Sequence, residues 1–148
     1  MRLAEKYRSN NGIFTTAEMI SLYQKYQPSL HFRPGTKFEY SNAGYVLLAE
    51  IIERVSGATF QNFMASHIFM PLHMNDTQVF NLLSESEPSK QVYGFKRKYW
   101  IFGGKTEHQD LNYFDGVEGD GSIYSSAHDL NIWHTALKKE HFSFRGLI

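Results

Sequence analysis

The 148 residues hold 15 basic and 15 acidic side chains and no net charge, so neither a nucleic-acid footprint nor attraction to an anionic membrane surface is expected. Cysteine is absent, which excludes disulfides and thiolate chemistry. The length suits one domain with enough apolar residues for a core, and no stretch has the make-up of a membrane span or a signal peptide.

Residues 1–11 are polar and charged and read as a loosely held lead-in. Thr15 and Glu18 then form a capping-box pattern that opens a helix through about Tyr26, with Met19, Ile20, Tyr23 and Tyr26 on one apolar face and Pro28 beyond its end. His31 follows in a linker, where a lone histidine reads as solvated or capping rather than as a ligand. Arg33-Pro34-Gly35-Thr36 is a Pro-Gly turn that sets the approach of a short segment, residues 37–39, to Tyr40-Ser41-Asn42.

After Asn42 the residues Tyr45, Val46, Leu47, Leu48, Ala49, Ile51, Ile52 and Val55 cover most of a helical circumference, leaving Glu50, Glu53 and Arg54 for water. Such a helix is expected to be enclosed. Ser41 or Asn42 marks its start, by accepting from first-turn N–H groups, and Gly57 its stop, by tolerating a left-handed conformation. A phenol, a hydroxyl and a carboxamide stand together at the mouth of this support. They form a candidate catalytic set of proton relay, weak donor and substrate-amide clamp; equally, Ser41 or Asn42 caps the helix and Tyr40 packs as an ordinary aromatic.

Beyond Gly57, Thr59 caps a short helix over residues 60–68, with Phe60, Phe63, Met64 and Ile68 inward. Neither His67 with His73 nor His128 with His134 has the spacing that puts two imidazoles on one helical face, so no metal is assigned. Residues 75–90 read as a polar connector or lid. Residues 91–95 and 98–102 have strand-like content, and Gly103-Gly104 makes a turn before residues 105–109, so a small antiparallel excursion is expected, with Lys96-Arg97-Lys98 at its solvated end.

Residues 115–123, DGVEGDGSI, fail as a calcium loop because Val117 and Gly119 occupy ligand positions. They fail as a dinucleotide fingerprint because Tyr124 stands where the third glycine belongs, and as a nucleophile elbow because Ser122 follows Gly121 directly. What remains is an irregular glycine-permitted loop running into Ser126-Ala127-His128-Asp129, a capping box for a helix with Leu130, Trp133 and Leu137 on one face. Residues 140–148 are expected to fray.

The run PGTKFEYSNAGYVLLAEIIERVSG, residues 60–74 with Pro71-Leu72-His73-Met74, and GDGSIYSSAHDLNIW together resemble the serine β-lactamase and penicillin-binding-protein superfamily, specifically its class C and esterase-like branch. The resemblance implies that Tyr40-Ser41-Asn42 is the family's Tyr-x-Asn motif. Tyr40 would then shuttle the proton of a serine nucleophile, Asn42 would hydrogen-bond a substrate's acyl amide, and Ser41, Asp120, Gly121 and Ser122 would line the cleft. It also implies a periplasmic or secreted location, no cofactor, and a substrate that is a β-lactam, a peptidoglycan-like peptide or an ester.

The family's nucleophile belongs to an S-x-x-K helix upstream of Tyr-x-Asn, and no serine here stands three residues before a lysine. Its third motif, K-T-G or a relative, should follow residues 119–133; Lys105-Thr106 precedes them and continues into Glu107 where a glycine is needed. The fold class expected is therefore mainly α with a small β-hairpin, the helical region of an α+β β-lactamase-like fold, with residues 1–148 a single partial domain. The chain itself is expected to be inactive. The rival expectation is a non-catalytic module that binds peptidoglycan-like peptides or assembles with a chain bearing the serine. An aromatic content of 16% adds the expectation of self-association through an exposed apolar face.

Overall fold

A computed structural model describes residues 14–81, 83, 92, 95–97, 106–108 and 116–139. The loosely held ends expected at 1–11 and 140–148, and the Gly103-Gly104 turn, lie outside these residues.

Helix α1, Thr16–Tyr26, begins with the full capping box: the Thr15 hydroxyl accepts from the Glu18 N–H at 3.1 Å, and the Glu18 carboxylate accepts from the Thr15 N–H at 2.9 Å. It ends at Gln27, whose left-handed backbone lets its N–H reach the Tyr23 carbonyl, immediately before Pro28.

Helix α2, Asn42–Ser56, is capped by Ser41 and closed by Gly57 at φ 70°. A 2.7 Å Arg54–Glu50 pair lies on its solvent stripe. Glu53, expected in water, turns instead to the next helix and accepts from the Phe60 N–H at 2.7 Å. Thus α2 holds the start of α3, Phe60–Met64, which Thr59 also caps.

Helix α3 widens into a π-helical turn at Ala65–Phe69, where the Met70 N–H bonds to the Ala65 carbonyl. His73 at φ 58° then closes the segment, its N–H on the Met70 carbonyl and that of Met74 on the Phe69 carbonyl. The wider turn rotates Phe69 into the core, so Phe69 rather than Ile68 is the buried side chain at that end.

The rest is short. Strands β1, Gln78–Val79, and β4, Ile123–Tyr124, pair antiparallel, and the Phe80 N–H extends the ladder to the Ser122 carbonyl. This pair was not expected: β1 lies in the segment read as a connector. Strands β2, Phe95–Arg97, and β3, Thr106–His108, form the expected antiparallel excursion in the register Phe95↔His108. The first strand begins at Phe95 and takes in Lys96 and Arg97, expected at the solvated end of the excursion but paired here with Glu107 and Thr106.

Helix α4, Ala127–Lys138, is capped by Ser126, but Asp129 does not return to close the box. Its carboxylate, 2% exposed, accepts from the Asp76 N–H and the Thr77 hydroxyl, both at 2.8 Å. The inward face of α4 is therefore Asp129, Ile132, Trp133 and Ala136. Leu130 and Leu137, expected inside, are exposed.

Two apolar clusters meet along α2. Phe14, Met19, Val46 and Val117 form one; Ala49, Phe60, Phe69, Met74 and Val79 form the other. Val46 and Ala49, three residues apart, pin successive turns of the same helix into different clusters, which fixes its first turn from behind. The expected enclosure of α2 is not found among the described residues: Tyr45, Leu48, Ile51 and Val55 lie exposed on it. The architecture is thus mainly helical with small antiparallel sheets.

Candidate active site

The site is built where α2 begins. Ser41 is the cap that the sequence left undecided: its hydroxyl oxygen accepts from the Gly44 N–H at 3.2 Å. Asn42 is then the first helical residue, half-buried, and its carboxamide is not consumed in capping. Tyr40 stands just before the cap, 65% exposed, with its ring 5.8 Å from that of Tyr45 in a tilted contact. The phenol and the carboxamide thus flank a serine whose own oxygen is tied to the backbone.

Opposite them lies the loop from Gly116 to Ser122. Val117 is buried at its root, and the Ser122 hydroxyl donates to the Val117 carbonyl at 2.9 Å, closing the loop on itself. Ser122 holds a left-handed backbone at φ 67°, a conformation that costs a side-chain-bearing residue about 1 kcal/mol or more. Its carbonyl accepts from Phe80, so both its polar groups face the loop and the sheet. Asp120 and Gly121 form the tip. Burial pushes the Asp120 carboxyl above its ordinary value of 3.8, against the lowering effect of its own backbone N–H.

Tyr40, Ser41, Asn42, Asp120, Gly121 and Ser122 all line one cleft of about 1160 Å³, together with Phe32 and Phe80. The Ser41 and Ser122 hydroxyls, though at this wall, are engaged with the Gly44 N–H and the Val117 carbonyl. The described lining of the cleft contains no lysine or arginine. Glu39 contributes a carboxylate held by His31 at 3.2 Å and Lys37 at 3.7 Å. The cleft can thus hold a carbonyl-bearing molecule through neutral donors and acceptors, with carboxylates on two sides and aromatic walls.

Among the described residues, Ser66 with His67 is the only hydroxyl–imidazole pair within hydrogen-bond reach, and it is not an activated nucleophile. The Ser66 oxygen is 2.9 Å from His67 Nδ1, but its proton goes to the Asn62 carbonyl at 2.7 Å, and Nδ1 faces the Phe63 carbonyl at 3.1 Å. No group of three or more His, Asp or Glu among these residues is placed to hold a metal, and no helix of theirs is long and apolar enough to cross a membrane.

Sequence reasoning missed Glu118. Its Oε1 accepts from Asn81 Nδ2 at 2.9 Å and Gln61 Nε2 at 3.4 Å, and its N–H donates to the Thr16 hydroxyl at 3.1 Å. Burial raises its pKa above 4.5; Asn81 lowers it, the Glu53 charge raises it further, and Gln61 lowers it. No local signal marks this residue, because its partners come from three distant stretches of chain.

The Beta-lactamase family model matches residues 3–143. The chain is 33% identical over 139 residues to penicillin-binding protein 4* of Bacillus subtilis, covering 90% of this chain and 31% of the relative. It is 27% identical over 146 residues to a D-aminopeptidase of Brucella ovis, covering 92% of this chain and 24% of that one. The chain thus spans less than a third of the length of these curated relatives. The crystal structure of D-amino acid amidase from Ochrobactrum anthropi SV3 complexed with D-phenylalanine superposes with a TM-score of 0.66 at 25% identity, over 90% of this chain and 39% of that one. This chain belongs to the Beta-lactamase family, within the serine β-lactamase and penicillin-binding-protein superfamily.

Proposed function

We propose that the chain supplies the Tyr-x-Asn side of a serine hydrolase cleft that transfers an acyl group from an amide, D-peptide, ester or lactam. The observation that carries this reading is the placement of Tyr40 and Asn42 around the α2 cap, on the cleft that Asp120 and Gly121 also line.

The chemistry runs in balanced steps. A serine oxygen attacks the substrate carbonyl carbon while its proton passes to the Tyr40 oxygen. The tetrahedral oxyanion collapses, and the leaving nitrogen or oxygen departs with that proton. Water repeats the sequence on the resulting ester and releases the acid. Asn42 holds the acyl-side amide throughout, which orients the carbonyl for attack.

A phenol acts as a base near neutrality only beside a cation that favours its anion. The described lining offers no lysine or arginine, and the sequence contains no S-x-x-K. We therefore assign the nucleophile and that cation to polypeptide other than these 148 residues, which form a partial domain without turnover of their own. The exposed apolar side of α2 supports the second reading, an assembly module, and this stripe is its contact face, by which the chain also self-associates.

Titration of ¹⁵N-labelled chain with D-phenylalanine amide tests the cleft. Shifts should concentrate at Asn42, Asp120 and Gly121 and disappear in Asn42→Ala. Shifts elsewhere, or none, would remove the substrate reading. A fluorescent penicillin should leave no label that survives denaturation, and a surviving label would overturn the account of the nucleophile.

A further inference from the structure

We propose that Glu118 is a positioning residue for the cleft: by accepting from Asn81 and Gln61 while its N–H is tied to Thr16, it seats Gly119 against α2 and thereby sets the separation of the Asp120–Gly121 wall from the Tyr40–Asn42 edge. Calling the space a substrate cleft rests on the function proposed above; the geometry of the strut does not.

The Asn81 and Thr16 links are of ordinary hydrogen-bond length, and the Gln61 link, at 3.4 Å, is the longest of the three. Thr16 is the first residue of α1, Gln61 lies on α3, and Asn81 follows β1, so one peptide unit with its side chain is fastened to three elements that carry the two apolar clusters. The next residue is Gly119 at φ 102°, a backbone conformation that side-chain-bearing residues rarely adopt. A Cβ built there would lie 2.5 Å from the Tyr45 carbonyl oxygen and 2.8 Å from Ala49 Cβ, so the loop presses directly on the first turns of α2. Tyr45 is also the residue whose ring meets Tyr40. Past Gly119 the chain turns at once into the cleft wall.

The carboxylate is needed for the reach of an acceptor rather than for its charge. Of the groups facing it, Glu53 on α2 is an anion, while Thr16, Gln61 and Asn81 are neutral. A side chain of the same length with one acceptor oxygen should therefore preserve the seat, and a truncated one should release it.

The absence of cysteine permits a direct measurement. Leu47 is exposed on the cleft side of α2, and Gly121 has open space where a Cβ would stand. Spin labels on Leu47→Cys and Gly121→Cys report the width between the walls through dipolar broadening. In the labelled parent the separation should be narrowly distributed. Glu118→Ala should broaden it and shift it to longer distance, measured well below that variant's own melting midpoint, whereas Glu118→Gln should restore the parental spectrum. Asn81→Ala with Gln61→Ala, which removes the donors and leaves the carboxylate, should reproduce the broadening if Glu118→Ala does not fold. Folded Glu118→Ala or the double variant with the parental separation, or Glu118→Gln behaving like Glu118→Ala, would overturn the proposal. No ligand is involved, so a distance response without any D-phenylalanine amide binding would discard the substrate reading alone.

Discussion

Gly119 shows how much a single missing methyl can decide. Its α-carbon sits against α2 so closely that alanine would meet the Tyr45 carbonyl, and it would do so in a left-handed backbone. Gly119→Ala should cost about 2–4 kcal/mol, combining conformational strain with overlap, as read from the chemical denaturation midpoint. Gly121→Ala meets no atom and should be near neutral.

Glu118 adds a pH signature at the same scale. Its carboxyl is raised mainly by burial, so the fold favours its protonated form. The sign follows from linkage: above the raised folded value the fold bears the full cost of the buried charge, and that cost fades as pH falls toward 4.5, where the unfolded chain also takes up the proton. Glu118→Gln should therefore gain stability over the parent at neutral pH, and the gain should shrink on acidification through this window. Melting curves of both proteins from neutral pH downward check this, and parallel curves would contradict it.

Among the elements, what was legible in the sequence is what is local. The Thr15–Glu18 box, the Gly57 stop of α2 and the Thr59 start of α3 each depend on residues within a few positions, and each stands where the pattern put it. Less local features were not legible. Asp129 looked like half of a capping box but is drawn away to Asp76 and Thr77, so α4 rolls and exposes Leu130 and Leu137. The β1–β4 pair is too short for alternation to show, and Glu118 meets Thr16 across 102 positions. For the candidate site, the sequence offers Tyr40 and Asn42 through a motif and residues 120–122 only through the family resemblance, whereas nothing in it points to the strut behind one wall.

Two element-scale outcomes follow. Ser41→Ala removes the acceptor for the Gly44 N–H and should cost about 1 kcal/mol. Asp129→Ala removes the carboxylate from the Asp76 N–H and leaves the Thr77 hydroxyl only Ser125 Oγ, in a half-buried place, and should cost about 2–3 kcal/mol. Equilibrium urea unfolding should rank Asp129→Ala as the more damaging, and the reverse order would show that the cap matters more than the α4 anchor.

At the scale of the whole molecule, α2 divides its apolar residues between use and exposure. Val46 and Ala49 join the two clusters, while Tyr45, against which the Tyr40 ring rests, continues with Leu48, Ile51 and Val55 into an exposed stripe. Val55 is 84% exposed, so replacing it by a charged residue removes apolar surface from water without opening a cavity. Val55→Lys with Leu48→Lys should lower binding of an apolar fluorescent dye and any concentration-dependent association, while the melting midpoint stays within a few degrees. A collapse in stability instead would mean that the stripe is already covered within the chain.

The widened turn at Ala65–Phe69 carries a consequence for how this sequence tolerates a change of length. Because the Met70 N–H spans five residues to Ala65, the segment accommodates one residue more than an ordinary turn would. Excising Ser66 or His67, both exposed, should let the coil tighten to the common pitch rather than tear. Phe69 would then take the inward place that an ordinary helix gives the residue before it and stay beside Met74 in the same cluster, so the shortened chain should keep its interior while losing only the bulge at its surface.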